Sequence, residues 1–276
     1  MAHAMKQAFK GVRAAMDRKQ EEREFHDKRE FDRLALSDEE WRAKYSNKKW
    51  YAIDRQKNTF VDNWLKANCP GAVALDFGCG RGGMSEKLAD FGATVYAIDI
   101  SPASVEATRQ RLTDRGLGDK LHGAVMDAEN LTFEDDKFDI IICSGVLHHM
   151  DVNLAFPELA RVLKPTGTVI ALEALGYNPI INAYRKLTPG LRTAWETDHI
   201  LTLSELNIAR RHFKSLNVNF FYLLSILAVP LRKTAVFGPV LSLLRAIDSV
   251  ILRIPGFRLM AWQMVFFLRE PQKAST

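Results

Sequence analysis

The chain has 276 residues, 47% of them hydrophobic, which is enough for one substantial α/β domain with decorations. Its net charge of +5 conceals an imbalance, because residues 201–276 hold ten Lys or Arg against three acids while residues 1–200 hold 28 against 30. Those late basic residues punctuate apolar runs instead of covering a polar face dotted with aromatics, which argues against nucleic acid and for a lipophilic or membrane-surface partner.

Cys69, Cys79 and Cys143 include no C-x-x-C pair, so neither a disulfide framework nor a cysteine zinc site is expected. The opening residues lack the unbroken apolar core of a secretory signal. No run reaches the roughly 18 apolar residues of a membrane span; the stretch 220–231 is shorter and contains Pro230. A cytoplasmic protein with peripheral membrane contact is the expectation.

Residues 1–40 mix charges of both signs, with Phe9, Val12 and Met16 at helical spacing, and predict one or two helices outside the main sheet. Ser37 with Glu40 three residues later reads as a capping box for a short helix. From residue 72 the rhythm changes. A strand over 72–76, a helix over 82–91, a strand over 94–98 and a helix opening at Ser101-Pro102 follow in turn. Strands over 120–124 and 138–143 come next, then a helix stopped by Pro165 and a strand over 168–172. This alternation predicts an α/β fold, a doubly wound sheet with right-handed crossovers.

Regularity lapses over 173–202, which is too long and too rich in Pro and Gly for a plain connector. A helix over 203–212, a strand over 216–224 and a last strand over 260–269 complete the pattern. Between those two strands lies an apolar insertion, 225–257. Within it Phe237, Val240, Leu241, Leu244, Ile247, Ile251 and Ile254 form one helical stripe, with Ser242, Arg245, Ser249 and Arg253 opposite. Core or subunit contact is the first expectation for that stripe, and self-association is expected of the charged N-terminus and the apolar insertion together.

The stretch VALDFGCGRGGMS, residues 73–85, carries the first functional signal. Gly78, Gly80 and Gly83 satisfy G-x-G-x-x-G, a turn that several nucleoside sites share. Asp76 discriminates among them: a carboxylate two residues before the first glycine repels a pyrophosphate and suits a ligand bearing an ammonium group. The string from Asp76 to Gly82, D-F-G-C-G-R-G, resembles the class I S-adenosylmethionine-dependent methyltransferases.

What that resemblance implies can be followed along residues 70–175. Asp99 and Ile100, in VYAIDIS, match the family's ribose-binding acid and its neighbour. Asp127 and Ala128, in VMDAEN, match the adenine site, and FDIIICSGVLHHM, with Cys143, matches the fourth strand and its exit. RVLKPTG resembles the branch that includes ubiquinone and menaquinone biosynthesis enzymes, although YSNKKWY and residues 173–276 depart from it. The implied fold is a seven-stranded, Rossmann-like sheet with an antiparallel C-terminal strand, and the implied cofactor is S-adenosylmethionine. Residues 1–69 are then a helical extension covering the cofactor, with Tyr51 among the aromatics near its sulfonium, and residues 70–276 the methyltransferase domain.

Methyl transfer needs alignment and, for most acceptors, a base. His148 and His149 follow the fourth strand, and His148 is the better candidate. Glu173 ends the fifth strand, where burial could raise its pKa into a useful range. His199, in WETDHIL, reaches the pocket only if the long loop folds over it. No His, Cys or carboxylate group has convincing metal spacing. The acceptor is expected to be small and lipophilic, of isoprenoid, prenylated, polyketide or glycolipid type, methylated on carbon or oxygen. Two alternatives stay open: a nicotinamide-dependent oxidoreductase, against which Asp76 argues, and a membrane-surface binding protein with a vestigial cofactor site.

Overall fold

Runs of Val, Ile, Leu and Ala with helical patterns between them leave each strand buried on both faces, and that is what parallel pairing requires. The architecture comes from a computed structural model that describes residues 2–44, 46–191, 193, 195, 196 and 199–273. For residues 2–15, 38, 42, 43, 46–48 and 189 only the backbone is described.

The described residues form one seven-stranded sheet of order β3-β2-β1-β4-β5-β7-β6. The strands are β1 (Val73–Phe77), β2 (Thr94–Asp99), β3 (Leu121–Val125), β4 (Phe138–Ser144), β5 (Leu163–Ala174), β6 (Phe213–Phe221) and β7 (Gln263–Pro271). Strands β1 to β5 pair in parallel, and β7 lies antiparallel between β5 and β6. The chain reverses its winding between β3 and β4, so β1 and β4 sit side by side with their C-terminal ends open to a ligand.

The helices are α1 (Ala2–Ala35), α2 (Asp38–Lys44), α3 (Arg55–Asn68), α4 (Gly83–Asp90), α5 (Pro102–Asp114), α6 (Val152–Val162), α7 (Pro179–Leu187), α8 (Leu203–Ala209), α9 (Phe237–Ile251) and α10 (Pro255–Arg258). Helix α5 starts as its sequence promised: Ser101 Oγ accepts from the Ser104 amide and Pro102 stands in the first turn. Two apolar layers cover the sheet. One packs Val61 and Leu65 of α3 with Leu88, Val95 and Val265; the other packs Leu75, Ile141, Phe156 and Phe266. Ile53, Val61 and Leu65 thus share a core with the sheet, so no packing boundary falls at residue 69.

Helix α1 is one continuous helix and lies across the C-terminal ends of the strands. Two expectations are corrected. Pro165 does not stop α6, which ends at Val162; β5 starts at Leu163 and carries Pro165 within its irregular first residues, where the register against β4 shifts between Phe138 and Ile140. In α9, Arg245 does not face solvent opposite the apolar stripe, because its guanidinium donates to the Ile53 carbonyl at 2.7 Å.

Candidate active site

The glycine turn needs backbone that only glycine adopts cheaply. Gly78, Gly80 and Gly82 have φ of 79°, 50° and 71°. A Cβ on Gly78 would lie 2.3 Å from Val146 Cγ2, whereas one on Gly80 would meet nothing within 4 Å. The first glycine therefore packs against the β4 exit, and the second lets a ligand approach the chain.

Asp76 stands beneath this turn with 0% exposure. Its Oδ2 accepts from Ser85 Oγ at 2.6 Å, while its Oδ1 has no hydrogen-bond partner among the described residues. Burial pushes its pKa up to about 6. A buried carboxylate oxygen left unmatched is costly unless a ligand supplies the donor or cation. Asp99, at the end of β2, accepts from the Gly80 and Ser101 amides, both at 2.9 Å, and burial raises its pKa as well. Those bonds fix the carboxylate and leave lone pairs for a diol. Gly78, Gly80, Asp99, Ile100, Asp127 and Ala128 all line one cavity of about 280 Å³.

Helix α1 roofs this cavity with charge, a feature the sequence reading missed. Arg18 donates to Glu129 Oε1 at 2.6 Å and to the His149 carbonyl at 2.9 Å, and Lys19 donates to Asp127 Oδ2 at 2.6 Å. Further along, Glu22 faces His149 Nδ1 at 2.9 Å and Glu30 pairs with Arg81 at 2.9 Å. Asp27 accepts from Ser101 Oγ. Trp41, 5% exposed, lines the same cavity. The i, i+4 spacing of Arg18, Glu22, His26 and Glu30 hinted at a shared face, but any solvated helix carries such pairs.

A second cavity of about 200 Å³ adjoins the first, and Ser144 and Gly145 line both. Trp50, Tyr51, Tyr184 and Trp262 give it aromatic walls. Trp50 Nε1, Tyr184 Oη and Gln263 Oε1 are buried atoms with no hydrogen-bond partner among the described residues. His148 and Glu173 also line it. His148 Nδ1–H donates to Glu173 Oε2 at 2.7 Å, and Glu173 Oε1 accepts from the Val146 and Leu147 amides at 2.9 and 2.8 Å. Glu173, 2% exposed, is thereby committed on both oxygens. Burial alone would lower the His148 pKa, but the charge and hydrogen bond of Glu173 outweigh it and leave the pKa raised.

The structure thus brings His148 and Glu173 together, but as partners rather than rival bases. Three other expectations are corrected. His199 is exposed, stacks on Trp195 at 3.5 Å and bonds the Trp195 carbonyl at 2.9 Å, outside both cavities. Tyr51 lines the second cavity, 5.6 Å from Trp262, and Trp41 is the aromatic at the first. Cys143 is fully buried in the core with Leu75 and Ile141, because strand alternation turns its side chain away from the cavities; the next residue, Ser144, reaches them.

Residues 75–171 match the profile of the family described as Methyltransferase domain. Those residues form a domain of the class I S-adenosylmethionine-dependent methyltransferases. It is similar to a ubiquinone biosynthesis O-methyltransferase of Xanthomonas campestris, 33% identical over 147 residues, which are 52% of this chain and 59% of that one. A sterol 4-C-methyltransferase of Caenorhabditis elegans is 31% identical over 105 residues, 38% of this chain and 31% of that one. The chain therefore spans less than two thirds of either relative. Among solved structures, the geranyl diphosphate C-methyltransferase of Streptomyces coelicolor shares the fold, with a TM-score of 0.55 at 17% identity over 78% of this chain and 80% of that one. The first cavity fits the class I methyltransferase cofactor, S-adenosylmethionine: the open side of Gly80 gives it room and Asp99 offers acceptors to a diol, while Asp76, which lines neither cavity, stands buried behind the glycine turn with one oxygen unmatched among the described residues.

Proposed function

We propose that the protein moves a methyl group from S-adenosylmethionine to an oxygen of a small, largely lipophilic acceptor held in the second cavity. The observation that carries this reading is the His148–Glu173 pair, placed in a cavity that shares a wall with the cofactor site.

When bound, S-adenosylmethionine would supply an electrophilic methyl group on a sulfonium. Asp76 would hold its ammonium, Asp99 the ribose hydroxyls, and Asp127 with Ala128 the adenine edge. Glu173 accepts from His148 Nδ1–H, fixing the tautomer in which Nε2 carries the lone pair. Nε2 would then take the proton of the acceptor hydroxyl, leaving its oxygen free to receive the methyl group. Trp50, Tyr51, Tyr184 and Trp262 seat an apolar or ring-bearing acceptor, and Trp50 Nε1, Tyr184 Oη and Gln263 Oε1 orient its polar atoms. Helix α1 keeps water from the cofactor, which alignment-driven transfer requires.

The test is an assay of lipophilic hydroxylated metabolites with methyl-labelled cofactor, comparing wild type, His148→Ala and Glu173→Gln. Label on oxygen, lost in His148→Ala, supports the reading. Label on carbon that survives His148→Ala would replace it with carbon methylation. Titration with a nicotinamide dinucleotide instead of S-adenosylmethionine separates the oxidoreductase alternative, and no binding of either would leave a vestigial site.

A further inference from the structure

Helix α9 carries two charged side chains, and both point inward. Arg245 donates to the Ile53 carbonyl at 2.7 Å. Asp248, 3% exposed, accepts from the amides of Leu223, Leu224 and Ser225 at 3.1, 2.7 and 3.1 Å, and from Ser225 Oγ at 2.7 Å. The outward face has apolar side chains instead. Val236, Leu243 and Val250 recur every seven residues, so they lie along one line, and they are 52%, 62% and 63% exposed. Ile254 and Phe257 add exposed apolar surface past the helix end, at 47% and 50%. The inner side is apolar too, since Phe237, Val240, Leu241 and Leu244 pack on the core. A helix apolar on both sides is normally covered on both.

Charge around the outer stripe selects the cover. Arg232 and Lys233 stand exposed before the helix, Arg253 and Arg258 after it. Between residues 213 and 269 the only carboxylate is that of Asp248, which is buried. We infer that this face docks on an anionic lipid surface, with the stripe in the apolar boundary and the four cations at the headgroups. No helix among the described residues is long and apolar enough to cross a membrane, so α9 would lie in the plane of the surface. A two-fold pairing of copies through this face would instead gather the same cations with no carboxylate to meet them. Met260, 39% exposed, sits two residues before Trp262 of the second cavity. On the acceptor reading proposed above, docking therefore brings that cavity near molecules dissolved in the bilayer.

The experiment is flotation of the full chain with vesicles of phosphatidylcholine alone or mixed with phosphatidylglycerol. Flotation is expected with the anionic vesicles only, falling at least tenfold in a Leu243→Glu/Val250→Glu double variant and in Arg253→Glu/Arg258→Glu. Since these side chains are exposed, circular dichroism and melting should not change. No flotation with anionic vesicles, or flotation unaffected by either double variant, would overturn the inference. So would light scattering that shows a dimer broken by Leu243→Glu/Val250→Glu without vesicle binding, for the face would then belong to a second copy. Cofactor titration of the same samples keeps this result separate from the methyl-transfer reading, because neither double variant touches that site.

Discussion

Helices α1 and α9 depart from the usual rule of charge outside and grease inside in opposite directions. Helix α1 buries Arg18 and Glu22 over the cofactor cavity, at 8% and 3% exposure, and leaves Met16, Phe31 and Leu34 exposed at 66%, 64% and 85%. Helix α9 turns both of its charges into the protein and shows apolar side chains to solvent. In α1 the buried charges meet partners on the β3 and β4 exits, so the helix is a polar seal on a polar ligand. In α9 the outer face meets no partner among the described residues, and the inference above gives it one outside the chain. Composition alone thus misleads about both ends of the molecule, and the partner of each face decides what it does.

The comparison can be broken at several points. The largest effect belongs between the two helices, at the reacting atoms. His148→Ala should lower kcat by about 100-fold or more, the scale of a lost general base, while Leu243→Ser leaves kcat on a soluble acceptor unchanged; rate measurements on both variants check it.

Arg18→Met should cost about 1–3 kcal/mol of stability by denaturant unfolding, because the buried Glu129 carboxylate loses one charged donor and keeps Lys19, 2.8 Å from its Oε2, and the Asp151 amide, 2.7 Å from its Oε1. If it cost no more than a surface change, α1 would be a solvated helix and not a seal.

The pH profile sharpens the same point at the dyad. His148 must be neutral to accept a proton, so kcat should rise with pH through a midpoint above the ordinary imidazole value of 6.5. Removing the carboxylate charge in Glu173→Gln should lower kcat and move that midpoint down. A midpoint that stays put would mean that Glu173 does not set the His148 proton affinity. The linked stability runs the opposite way: the raised pKa stabilises the fold fully below the unfolded-state value, and that contribution is lost as pH rises through the folded value.

The smallest effect is expected on α9. Leu243→Ser should change stability by no more than about 0.5 kcal/mol, since the side chain is already 62% exposed. A larger loss would show that the stripe is covered within the protein.

The sheet was legible because its signals are local. Periodicity marked each strand, and the glycine turn marked the β1 exit; observed boundaries differ from the expected ones mainly by a few residues. Asp99, Asp127 and Ala128 could be placed near strand ends for the same reason, by short motifs, and they line the first cavity. What was missed depends on contacts far apart in sequence. Nothing near Glu173 tells that both its oxygens are taken by residues 146–148, or that Arg18 meets Glu129 across 111 positions. Asp248 drew no reading from the sequence, yet it caps the turn that ends β6. His199 failed because its stacking partner, Trp195, was as near in sequence as the pocket was far.

The central claim is that the cavity beneath α1 holds S-adenosylmethionine and that Asp76 holds its ammonium. Calorimetric titration of the cofactor into wild type and Asp76→Asn tests it most directly. The account predicts saturable one-to-one binding to wild type, weakened at least tenfold in Asp76→Asn while the melting temperature of the empty protein does not fall, because the buried, unmatched carboxylate has been neutralised. Equal affinity in the two proteins, or no binding to wild type, would contradict it.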